Sequence, residues 1–84
     1  MDFVARTPAQ LGSALRSARI RRGLTQADAA SSVGLKQKTV SSLETMGART
    51  SVETLYKMLS ALGLELVIRD NADASAREPN SREW

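Results

Sequence analysis

Among its 84 residues the chain has no cysteine and no histidine. Without thiols there is no disulfide framework and no thiolate metal site, a pattern that fits a reducing cytoplasm. Without imidazole or thiol the usual general base and activated nucleophile are missing. The carboxylates show no paired spacing on one element, so neither catalysis nor a metal or cofactor is expected. Aromatic residues make up only 4%, which leaves Leu, Val, Ile, Met and Ala to build the core. No apolar run approaches the ~18 residues of a membrane span, and the start of the chain lacks a signal peptide's apolar segment. These absences lead us to expect a soluble, cytoplasmic chain with no membrane partner and no small-molecule substrate. The length allows one domain at most, and so small a domain gains burial by dimerising.

Charge, by contrast, is present and unevenly placed. The formal net charge of +3 is modest, yet residues 3–49 carry eight arginines and lysines against only Asp28 and Glu44. From Asp70 onward four acids outnumber Arg77 and Arg82. A basic body with an acidic tail points to a polyanion as partner for the first part; a merely soluble basic surface is the plainer alternative.

The stretch Thr25–Glu44, TQADAASSVGLKQKTVSSLE, is predicted to form two short helices joined by a tight turn. Thr25 and Asp28 have the spacing of a capping box. Ala27, Ala29 and Ala30 are small enough to let another helix approach, and Gly34 suits the left-handed position that ends the first helix. Leu35, Val40 and Leu43 turn inward. Lys36, Gln37 and Lys38, with Ser41 one turn later, are then the candidate readers of base edges: lysine donates to guanine O6 and N7, and Gln pairs with adenine N6 and N7. Thr25, Thr39 and Ser42 are short hydroxyls suited to phosphate, and Arg49 can neutralise one. The alternative for all of these is an ordinary solvated face.

Around this stretch, residues 1–6 read as a flexible arm. Thr7-Pro8-Ala9-Gln10 reads as a capped helix start, followed by the stripe Leu11, Leu15 and Ala18 and the stop Gly23. Arg16, Arg19, Arg21 and Arg22 suit the last turns, where positive charge complements the helix dipole. Thr50–Glu53 reads as a further capping box opening a helix with Val52, Leu55, Met58, Leu59 and Leu62 on one side, closed by Gly63. At residues 64–69 the period changes to alternation, with Leu64, Leu66 and Ile68 opposite Glu65, Val67 and Arg69. One strand has no partner within its own chain, so Leu64, Leu66, Val67 and Ile68 are expected to pair across a two-fold dimer. Residues 70–84 lack any apolar period and read as a disordered tail. The terminal Trp84 is either incidental or an apolar anchor for another protein.

Thr25-Gln26-Ala27-Asp28, Ala30, Gly34, Val40 and Glu44 together resemble the helix-turn-helix of the lambda/434-repressor-like (Xre) family, over roughly Thr7 to Gly63. The resemblance implies an all-α domain of four to five helices, residues 7–69, with one short C-terminal strand. It also implies a structural ion pair between Arg19 and Glu44, and a Gln26 that bridges a DNA phosphate and a recognition-helix side chain. Further, TPAQL, GLKQKTVSSLE, LELVIRD and the tail ending in Glu-Trp look like the HipB antitoxins, the DNA-binding partners of HipA-type toxin kinases. That resemblance implies a strand lid across the homodimer, palindromic operator DNA, autoregulation, and a Trp84 that docks on the toxin. The alternatives are a stand-alone repressor of phage or restriction-control type, and an interaction module that uses the fold without DNA.

Overall fold

The computed structural model describes residues 2–45 and 49–70. Four helices follow one another: α1 Pro8–Arg21, α2 Gln26–Ser32, α3 Gln37–Thr45 and α4 Val52–Ala61. α3 packs against both α1 and α2, and α4 packs against α2. Their shared core is Leu15 and Ala18 from α1, Ala29 and Ala30 from α2, Val40 and Leu43 from α3, and Met58, Leu59 and Leu62 from α4 and its end. Each fully buried Leu or Met contributes roughly 1.5–3 kcal/mol. With no tryptophan or tyrosine in that core, close approach of helices carries the packing.

Close approach is made possible by small residues at chosen points. Ala29 and Ala30 are fully buried, whereas Ala27 lies outside. Gly12, inside α1, has a sharper role: a Cβ there would lie 2.6 Å from the Glu44 carbonyl oxygen and 2.8 Å from that of Leu43. The backbone of α3 therefore sits directly on α1, at the C-terminal end of α3.

Three helices end by the same chemistry. Each is followed by Gly-Leu, and the Leu N–H returns to a carbonyl in the last helical turn: Leu24 to Arg19 at 3.2 Å, Leu35 to Ala30 at 2.8 Å, and Leu64 to Leu59 at 2.8 Å. The glycine takes the left-handed conformation, at φ +74° for Gly34, and the following leucine packs on the core. This arrangement satisfies otherwise free carbonyls and anchors the chain as it leaves each helix.

The starts depart from expectation in detail. Thr7 caps α1 by accepting from the Gln10 N–H at 3.1 Å, but the Gln10 side chain accepts from the Arg6 N–H at 2.6 Å, one residue before the cap. α4 is capped by Ser51, not Thr50: Ser51 Oγ accepts from the Thr54 N–H at 3.0 Å. Val52 is thereby the first helical residue and is 68% exposed, so it leaves the expected stripe, and Leu55 is only half-buried. Residues 2–6 form no helix or strand. Phe3 is half-buried and packed against the core.

Among the described residues no strand forms. Residues 64–69, expected as a strand, run on from α4 without a ladder in the single chain. Leu64 is half-buried, while Leu66, Val67 and Ile68 are exposed, Ile68 by 91%. The tail assigned to residues 70–84, Trp84 included, lies outside the described residues save Asp70, as does Gly47.

Candidate nucleic-acid interface

The two helices of Thr25–Glu44 are held together from their ends. At the start of α2, Thr25 Oγ1 accepts from the Asp28 N–H at 3.0 Å and Asp28 Oδ2 accepts from the Thr25 N–H at 3.1 Å. The reciprocal box fixes the entry of α2. The Thr25 N–H first, and the Thr25 hydroxyl second, hold the Asp28 carboxyl below its ordinary 3.8. At the far end of the pair, Glu44 in the last turn of α3 is buried, and its carboxylate accepts from Arg19 twice, Nε at 2.6 Å and Nη2 at 3.0 Å. A two-point guanidinium–carboxylate pair fixes direction as well as distance. Arg19 Nη1 also donates to the Leu24 carbonyl at 2.8 Å, so the same guanidinium ties the loop that leads into α2. The bond to Glu44, more than the opposing burial, raises the Arg19 pKa above its ordinary value. Arg19 therefore stays charged.

A third donor meets the same carboxylate: Gln26 Nε2 reaches Glu44 Oε1 at 3.2 Å. Gln26 is half-buried at the first position of α2. Four elements thus meet at one buried ion pair: α1, the loop after it, α2 and α3. The sequence, through the family resemblance, paired Arg19 with Glu44 and named Gln26 apart from them; it did not put Gln26 on Glu44, nor the Leu24 carbonyl on Arg19. It also passed over Gly12, although a glycine on the buried stripe of a helix, one turn from Leu15, signals a close packing contact.

With Val40, Leu43 and Glu44 turned into the protein, the other side of α3 is left to solvent. Lys36, whose carbonyl accepts from the Thr39 and Val40 N–H groups at 2.9 and 3.2 Å, stands immediately before the helix. Lys36, Gln37, Lys38 and Ser42 are exposed, and Thr39 and Ser41 are half-buried. Thr25 and Arg49 are exposed as well. The first turn of α3 therefore offers two ammonium groups and an amide, while its last turn is locked. Leu64, Leu66, Val67 and Ile68 belong to a separate region beyond α4.

Two short helices fixed across a glycine turn, the second presenting a polar, cationic first turn, define a helix-turn-helix protein, and the helix-turn-helix family model matches residues 15–68. Over 80 residues the chain is 36% identical to antitoxin HipB of Escherichia coli O6:H1 (strain CFT073), an alignment that covers 93% of this chain and 85% of the relative. A solved HipB–O2 20mer complex contains a chain that superposes with a TM-score of 0.78 at 33% identity, over 83% of this chain and 97% of that one. A HipA–HipB–O2–O3 complex gives a TM-score of 0.77 at 32% identity, over 81% and 96% of the two chains. The chain belongs to the HipB antitoxin family of helix-turn-helix proteins. Among the described residues, no helix is long and apolar enough to cross a membrane.

Proposed function

We propose that this chain is a sequence-specific repressor and antitoxin: a cytoplasmic homodimer that binds palindromic operator DNA, represses its own synthesis, and holds a HipA-type toxin kinase. The observation that carries the DNA reading is the two-sidedness of α3, whose buried side is fixed by Val40, Leu43 and Glu44 while Lys36, Gln37 and Lys38 stand free. A rigid helix with exposed donors at its start is what base-edge readout in the major groove requires. Lys36, Gln37, Lys38 and Ser41 act as base readers in this account, and Thr25, Gln26, Thr39, Ser42 and Arg49 as phosphate contacts. The relatives crystallised as HipB–O2 and HipA–HipB–O2–O3 complexes support both partners. The chain acts by binding and not by catalysis.

Dimerisation places two copies of α3 about a two-fold, reading half-sites about one helical turn or more apart, ~34 Å per turn. Leu64, Leu66, Val67 and Ile68 supply the apolar part of that contact, and Trp84 is the anchor for the toxin. The test begins with selection of duplexes from a random library by the full chain. Enrichment of a palindrome, bound with an affinity that falls steeply with salt, is the expected result; no enrichment removes the repressor reading. Co-expression with a HipA-type kinase then tests the second partner. Co-purification with the native chain that weakens for Trp84→Ala supports the antitoxin role. Operator binding without any retention of the kinase would make this a stand-alone repressor.

A further inference from the structure

The segment after α4 carries charge as well as apolar surface, and neither is matched within the single chain. Leu66, Val67 and Ile68 are exposed by 47%, 62% and 91%, and Glu65 and Arg69 on either side of them are exposed too. Among the described residues the one ion pair is Arg19 with Glu44, so Glu65 and Arg69 do not meet. In an extended segment they cannot, because four residues at ~3.3 Å each set them roughly 13 Å apart. They do point the same way, as residues four apart in a strand must. We propose that two copies pair these segments antiparallel about Val67, so that Glu65 of each copy meets the partner's Arg69, and that this reciprocal ion pair sets the register of the dimer. The inference rests on the strand-pairing reading above and deepens it, naming which residues meet and what chooses them.

Residues directly opposite each other in an antiparallel pair share one face of the sheet, and a two-fold axis makes the two halves of the contact identical. Neighbouring registers then bring conflicts. An axis between Leu66 and Val67 sets Glu65 against the partner's Ile68, a charge on an apolar chain. One between Val67 and Ile68 sets Glu65 against the partner's Asp70, and one on Ile68 sets Leu66 there. An axis on Leu66 sets Arg69 against the partner's Gly63. In each copy the Arg22 guanidinium already lies against Gly63, where an added side chain would run into it, so that contact brings two cations together. It also asks Leu64 to meet the partner's Ile68, although Leu64 is packed against its own core. An axis on Val67 removes these conflicts. Leu66 meets the partner's Ile68 on both sides of the axis, Val67 meets its own counterpart, and Glu65 meets the partner's Arg69 twice. Opposite charges so placed, with Cβ atoms about 4.5–5.5 Å apart, attract, and like charges there repel. The register bears on DNA reading as well. Moving the axis from Val67 to Leu66 slides one copy along the other by two residues, roughly 6.6 Å, and carries its α3 with it.

The chain has no cysteine, so single cysteines introduced into the full chain report the register directly. Under mild oxidation Val67→Cys should cross-link into a covalent dimer, because residues paired on the axis lie within disulfide reach. Leu66→Cys should not, since its two copies stand two places apart along the strands. Cross-linking of Leu66→Cys in place of Val67→Cys overturns the proposal. Charge reversal tests the ion pairs by sedimentation equilibrium, with circular dichroism confirming that each variant is folded. Glu65→Arg and Arg69→Glu should each raise the dimer dissociation constant roughly tenfold, since each turns two attractions into two repulsions. An equimolar mixture of the two should form the heterodimer in preference to either homodimer, and the double variant should return to wild-type affinity. Single variants as tight as wild type, or a double variant no tighter than the singles, would overturn the assignment: a role within one chain is not rescued by reversing the second charge. A wild-type chain that stays monomeric at every concentration would instead remove the strand-pairing reading itself.

Discussion

The helix-turn-helix stretch and the segment after α4 use the same kinds of apolar residue and reach opposite outcomes. Between Thr25 and Glu44, Ala29, Ala30, Val40 and Leu43 are buried by the chain's own helices. Between residues 64 and 69, Leu66, Val67 and Ile68 are exposed by 47%, 62% and 91%. Helices satisfy their backbone groups internally, so they need only a surface to pack on, which α1 and α4 supply. An extended segment needs a neighbour for its backbone as well as for its side chains. The first region is buried within one chain, and the second, on the reading proposed above, would be covered by a second copy. Reading DNA requires the first kind of region, and doubling the reading head requires the second.

Substitutions break or sharpen this contrast in order of size. Glu44→Ala should be the most damaging: it strands Arg19 in a nearly buried site, at a cost of about 3–5 kcal/mol, seen as a large fall in thermal midpoint at any protein concentration. Near-native stability would mean that the helix pair is held by its apolar core alone. Gly12→Ala should come next, at about 1–3 kcal/mol from overpacking, because the new Cβ meets backbone carbonyls of Leu43 and Glu44 that have no room to move. Denaturant titration measures it, and an unchanged midpoint would show that α1 and α3 do not approach so closely in solution.

Ile68→Ala sharpens the contrast from the other side. It should change the stability of dilute monomer by under about 0.5 kcal/mol, yet raise the dimer dissociation constant roughly tenfold in analytical ultracentrifugation. An unchanged dissociation constant would assign the dimer contact elsewhere. The smallest effect is acid-dependent. The Asp28 carboxyl is held below 3.8 by the Thr25 N–H and hydroxyl, so its contribution is fully present above that pH and is lost as pH falls through the lower folded value. Asp28→Asn should therefore be less stable than wild type near neutrality, and the gap should close in acid. A gap of constant size across the acid range would show that the charge of Asp28 plays no part.

Much of this architecture was legible in the residues because it rests on local rules. Gly23, Gly34 and Gly63 stop helices, and Thr7 and Thr25 start them, within a few residues of their partners. Where rules competed, reading failed: Thr50 and Ser51 are both good caps, and α4 uses Ser51, which leaves Val52 exposed. Contacts between distant residues were legible only through family resemblance, as with Arg19 and Glu44, 25 residues apart. The bond from Gln26 to Glu44 has no local signature at all. Phe3 shows the converse: a single aromatic in a patternless arm gives no period, yet its ring packs against the core.

The central claim is that the exposed first turn of α3 reads bases. Fluorescence anisotropy with the selected palindrome and a random duplex of equal length, using wild type and Lys36→Ala, Gln37→Ala and Lys38→Ala, tests it most directly. The account predicts that a substitution removing a base contact costs about 1–3 kcal/mol on the palindrome, with far less lost on the random duplex. Equal losses on both duplexes for all three variants would contradict it, leaving these side chains as phosphate contacts and the reading surface elsewhere.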